Sequence, residues 1–104
     1  MNDHDIAMDI AEQADLLYLA CKDAEEKPLY EQALALARSA AEAEQTEPSR
    51  GLMLASAGWL AVSAGQYEEA IRLAELGLAG DVCEKVANSL RHVASNARWR
   101  LEIR

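Results

Sequence analysis

The sequence predicts an all-α fold, a single domain of five antiparallel helices. Three observations carry that prediction. Helix formers dominate a chain of 104 residues with two prolines, five glycines and no phenylalanine, and no alternating run of β-branched residues occurs. Apolar residues recur at steps of three and four through most of the chain. Finally, two stretches 37 residues apart nearly match: Tyr30-Glu31-Gln32-Ala33-Leu34-Ala35-Leu36-Ala37 and Tyr67-Glu68-Glu69-Ala70-Ile71-Arg72-Leu73-Ala74. Self-similarity at such a period signals a repeated two-helix unit.

A first helix is expected from about Asp5 to Glu26, on the stripe Ile6, Ile10, Ala14, Leu17, Cys21 and Ala24. Asp3 and Asp5 suit its N-terminal dipole. Pro28 is expected to end it and to start a second helix, carried to about Ala43 by Leu29, Ala33, Leu36, Ala37 and Ala40. Pro48 initiates a third, from Ser49 to about Ala64. Between Arg50 and Glu68 no residue is charged, and a helix apolar on every side is normally surrounded by neighbours. Gly65-Gln66 supplies a turn into a fourth helix from Tyr67 to about Ala79, with Gly80 as its C-cap. Asp81 and Glu84 have capping-box spacing for a fifth helix, which carries Val86, Leu90, Val93, Ala94, Ala97 and Leu101 on one face. The units are residues 5–45, 49–80 and 82–103.

The repeated positions carry a resemblance. In each copy Pro28 or Gly65 precedes the tyrosine by two, and an alanine follows it by three. Leu54, Ala57, Gly58, Gly65, Tyr67, Ala70 and Ala74, and more loosely Leu17, Ala20, Cys21, Pro28, Tyr30, Ala33 and Ala37, resemble the tetratricopeptide repeat. The resemblance spans about residues 14–80. It departs from the family in its longer period, in Leu17 and Leu54 where a large aromatic is usual, and in lacking a third full repeat. It implies that Ala20/Cys21 and Ala57/Gly58 are small where helix A meets helix B, that Tyr30 and Tyr67 wedge the hairpins, and that the fifth helix caps the array.

Residues 1–50 hold 12 acids and 4 bases, whereas residues 51–104 hold six of each. From residue 83 onward Lys85, Arg91, Arg98, Arg100 and Arg104 face only Glu84 and Glu102. An acidic body disfavours nucleic acid and anionic membrane. The acid-to-base polarity permits contact between copies or capture of a basic partner. Cys21 and Cys83 lack metal or redox spacing and read as free, buried thiols of a reducing cytoplasm. No stretch is apolar and long enough to span a bilayer, and the acidic N-terminus is unlike a secretory signal.

The resemblance implies a protein-interaction module whose A helices line a concave groove. Its positions fall on Asp15, Tyr18, Lys22, Glu25 and Glu26, on Leu52, Ala55, Trp59, Val62 and Ser63, and on His92, Asn96 and Trp99. The expected partner is a protein or peptide with apolar anchors and basic flanks, because Trp and Tyr in a half-open groove make strong anchors. Trp59, on the most apolar helix, reads more readily as core than as a partner contact, and Tyr18 reads equally as packing. A carboxylate clamp is not expected, since only Lys22 matches one. Self-association of a structural protein and dedicated chaperoning of one partner remain alternatives. No cofactor, metal or catalysis is expected: His4 and His92 lack ligand spacing, Ser56 and Ser63 lack a nucleophile setting, and no phosphate loop occurs.

Overall fold

A computed structural model describes residues 3–20 and 23–103. It is all-helical: α1 (Asp3–Leu19), α2 (Asp23–Ala43), α3 (Ser49–Ser63), α4 (Tyr67–Leu78) and α5 (Glu84–Ile103). Each helix packs on the next, and α5 also packs on α3. Short connections make consecutive helices antiparallel. The result is a slab of 39 × 37 × 18 Å, two helices thick, with α1, α3 and α5 in one layer and α2 and α4 in the other.

Helix α3, whose only charged residue is Arg50 in its first turn, is the central helix, in contact with α2, α4 and α5. Seven of its residues are buried, Gly51, Leu54, Ala55, Ala57, Gly58, Leu60 and Ala61. Its start is held by Glu47, whose Oε1 accepts the Gly51 N–H at 2.9 Å. Its end closes in a Schellman turn. Gln66 N–H reaches the Ala61 carbonyl at 2.8 Å and Gly65 N–H the Val62 carbonyl at 3.0 Å, with Gly65 at φ +77°. That conformation costs glycine nothing and other residues about 1 kcal/mol or more.

The repeated motif occupies equivalent places in α2 and α4. Ala33 and Ala70, and Ala37 and Ala74, are all fully buried. Their small side chains let the α2 and α4 backbones lie close to neighbours. Arg38 and Glu69 join the two helices at 3.4 Å.

Glycines set the approach of α5. A Cβ on Gly58 would lie 2.7 Å from Val93 Cγ1, one on Gly77 2.7 Å from Leu90 Cδ1, and one on Gly51 2.6 Å from Val82 Cγ1. These are closer than carbon atoms tolerate, so α5 and its lead-in sit directly on bare backbone. The smallness of Gly58 therefore serves α5, not the α3–α4 hairpin for which the resemblance implied it.

Several boundaries differ from expectation. The first helix ends at Leu19, and α2 begins at Asp23 with Pro28 inside it. Pro28 lies in the second turn, where the missing amide costs a single bond to the carbonyl four residues back. The buried stripe of α1 is Ala7 and Ala14, flanked by Met8, Ile10 and Ala11, so it is turned by about one residue from the expected one. Cys21 lies outside the described residues, as does the side chain of Ala24. Gly80 is not a left-handed cap; it is crowded by the Glu47 and Arg50 side chains. Asp81 does not cap α5, because Ala87 N–H goes to the Cys83 carbonyl at 2.9 Å. Cys83 is exposed and free, not buried, because it occupies that cap instead of the helical face.

Gly58→Ala gains helix propensity but forces a methyl against fully buried Val93. The overpacking should win, for a net loss of about 1 to 2 kcal/mol. Val93→Ala in the same chain should cost less than it does alone, and a urea-denaturation double-mutant cycle checks this coupling.

Candidate functional site

Two concavities open along the α1–α3–α5 layer. The first, about 490 Å³, lies between α3 and α5 and is lined by Trp59, His92, Ser95, Asn96 and Trp99. The geometry follows from the glycine contacts. Gly51 meets Val86 and Gly58 meets Val93, so the two helices run in the same sense. Trp59 follows Gly58 and so turns off the contact line; it keeps 38% of its surface exposed. Trp99 lies on the side of α5 away from Leu90 and Val93, since nine residues at 100° each place it half a turn from Leu90. Asn96 presents a buried Oδ1 that no donor meets in the structure. Two indoles on an open concavity suit an apolar group of a partner, whereas the Asn96 Oδ1 lies below the surface.

The second concavity, about 610 Å³, separates α1 from α3. Asp15, Tyr18, Glu26, Lys27, Tyr30, Val62, Ser63, Tyr67 and Arg100 line it. At its floor the buried Tyr30 hydroxyl donates to Asp15, pinning α1 to α2. The Tyr30 phenol is held well above the usual tyrosine range, first by burial and then by that hydrogen bond to a carboxylate. Tyr18 stays 60% exposed at the mouth.

The sequence-chosen residues are thus distributed between these two spaces. Trp59, His92, Asn96 and Trp99 share the first, and Asp15, Tyr18, Glu26, Val62 and Ser63 share the second. Leu52 is exposed at the far end of α3 and Glu25 is exposed on α2, and neither lines a concavity. Ala55 is 5% exposed and belongs to the core, so it offers no surface to a partner. Lys22 lies outside the described residues. Lys27, Tyr67, Ser95 and Arg100 were missed. For Arg100 a signal existed: it stands 37 residues after Ser63, the same offset that relates Trp59 to Asn96 and Val62 to Trp99. Tyr67 was read only as a wedge, whereas its half-buried ring also forms wall. The second concavity is consequently of mixed charge, with Lys27 and Arg100 beside Asp15 and Glu26.

Among the described residues no three His, Cys, Asp or Glu side chains cluster as a metal site, and no helix is long and apolar enough to cross a membrane. Compared with family models, curated proteins and solved structures, the chain finds no match in any of the three. The candidate site therefore rests on its own geometry.

Tyr30 gives a pH test. Its raised folded value favours the neutral phenol, so its contribution is complete below the unfolded value of about 10 and drains as pH climbs toward the folded one. Stability should fall by about 1.4 kcal/mol per pH unit from this group above about pH 10. Tyr30→Phe should lose about 1 kcal/mol at neutral pH and lack that alkaline slope. Urea titrations across neutral and alkaline pH read both.

Proposed function

We propose that this protein is a non-enzymatic interaction module of the cytoplasm, a tetratricopeptide-like array that holds a segment of another protein along its α1–α3–α5 layer. The observation that carries the reading is the α3–α5 cleft, where half-exposed Trp59 and exposed Trp99 line an open concavity. An apolar side chain of the partner enters between the indoles. The flanking residues of the segment pass the tyrosine-lined concavity, whose carboxylates Asp15 and Glu26 favour a basic neighbour and whose Lys27 and Arg100 limit how many such charges it accepts.

The equivalent burial of Ala33/Ala70 and Ala37/Ala74 and the shared direction of α3 and α5 support the tetratricopeptide-like part of the proposal. The exposed, unpaired thiol of Cys83 fits a reducing compartment.

Peptides selected from a displayed library against the whole protein supply the probe. Trp59→Ala should weaken a selected peptide by about thirtyfold, the loss typical of a buried aromatic anchor. Leu52→Ala, outside both concavities, should leave affinity within about twofold. Unchanged binding by a folded Trp59→Ala protein, measured by calorimetry, would sink the assignment.

A further inference from the structure

The two end helices of the slab carry unlike outer faces, and these faces complement one another. Among the described residues α2 is the only substantial neighbour of α1, whereas α5 is covered on one side by α3 and α4. On α1, the side opposite Ala7 and Ala14 presents Asp9, Glu12, Leu16 and Leu19, one stripe at steps of three and four. Leu16 is 63% exposed and Leu19 76%. On α5, the side opposite Leu90 and Val93 presents His92, Trp99 and Ile103, with Ile103 60% exposed. Leu16 and Leu19, and Trp99 and Ile103, each lie about one turn apart on one side of their helix, so they form paired apolar patches and not scattered single residues.

The charges divide the same way. Helix α1 contains five acids and no Lys or Arg, and α5 contains four bases against two acids. The order along each helix also agrees: each has its apolar pair toward the C-terminal end and its charged and polar residues before it. A second α1 running beside α5 in the sense in which α5 runs beside α3 would set Leu16 and Leu19 against Trp99 and Ile103. Asp9 and Glu12 would then lie along the stretch that carries Arg91 and Arg98, exposed guanidiniums that already meet Glu84 at 3.0 Å and Glu75 of α4 at 3.2 Å and would share these charges with the second copy.

We infer that this chain associates head to tail with copies of itself, the outer face of α1 in one copy docking on the outer face of α5 in the next. The two faces lie on the helices at opposite ends of the slab, so one contact between copies leaves the other face of each copy free. The contact is heterologous and leaves a free face at each end, which generates open chains of copies. Opposite charge steers the encounter and fixes polarity, and the apolar pairs supply the holding surface.

Sedimentation equilibrium of the whole chain at low ionic strength, from micromolar to millimolar protein, tests the inference. The mass should climb past the dimer without a plateau there, and high salt should weaken association at least tenfold. Leu16→Asp blocks the head and Ile103→Asp the tail; both sites are solvent-exposed and lie outside both concavities. Each variant alone should be monomeric, and their equimolar mixture should stop at a dimer. The charge reversals Glu12→Lys and Arg91→Glu should each weaken association, and the chain bearing both should recover it. A wild-type chain that is monomeric throughout, a mass that stops at the dimer, association of either blocked variant alone, or a mixture that stays monomeric would each overturn the proposal.

Discussion

The close seating of α5 on bare backbone is the contact on which the rest of this molecule depends. Gly51 and Gly58 lie seven residues apart on α3, and Gly77 lies on α4, so together they offer α5 and its lead-in three points of bare backbone. Val82, Val86, Val93 and Leu90 meet them. Branched side chains against glycine bring two helix axes nearer than ordinary ridges and grooves permit, and the interior tolerates little variation in that distance. Helix α3 carries two of the three glycines and no charge after Arg50, as suits a helix with neighbours on three sides. The same contact sets how far Trp59 stands from Trp99, and so defines the α3–α5 cleft.

The opposite end of the slab is built differently. Among the described residues no such glycine contact joins α1 to α3. Helix α1 is held to α2 by alanines and by the Tyr30–Asp15 hydrogen bond, and the space this leaves beside α3 is the tyrosine-lined concavity. One layer of helices thus contains a tight junction and a loose one. The tight junction gives a small cleft with indole walls, and the loose one a wider space of mixed charge. A bound segment would meet unlike chemistry at the two, which gives it a direction.

Helix number and type were legible because periodic apolar positions and the turn glycine Gly65 mark them strongly, and because α3 carries no charge after Arg50. The α1–α2 boundary was not legible. Pro28 is a strong local signal, yet a proline in the second turn costs a single hydrogen bond, and the chain reverses earlier to bring Asp15 opposite Tyr30. Gly80 and Gly58 show the same limit. Sequence identifies a glycine as permissive, but whether it serves a left-handed turn or a neighbour's approach depends on which helix arrives there. The fixed offset of 37 found Asn96 and Trp99 from Trp59 and Val62. Applied to Ser63 it also points to Arg100, a position the groove assignment left out. Ala55 failed as a surface residue because a side chain that small cannot reach out of a helix pressed on three sides.

A repeat array buries each unit against the next, so its interior faces are settled by the repeat and its ends are not. Here the ends are α1 and α5, and the acid excess of the first half and the base excess of the last segment fall on them. If charge served solubility alone, like sign at both ends would do as well and would keep copies apart. Opposite sign, joined to exposed leucines on one face and exposed tryptophan and isoleucine on the other, removes that repulsion where the array has no further helix of its own to add. The order that sets α5 beside α3 leaves α5 with no further helix on its outer side, and the helix of this chain that carries the opposite charge is α1.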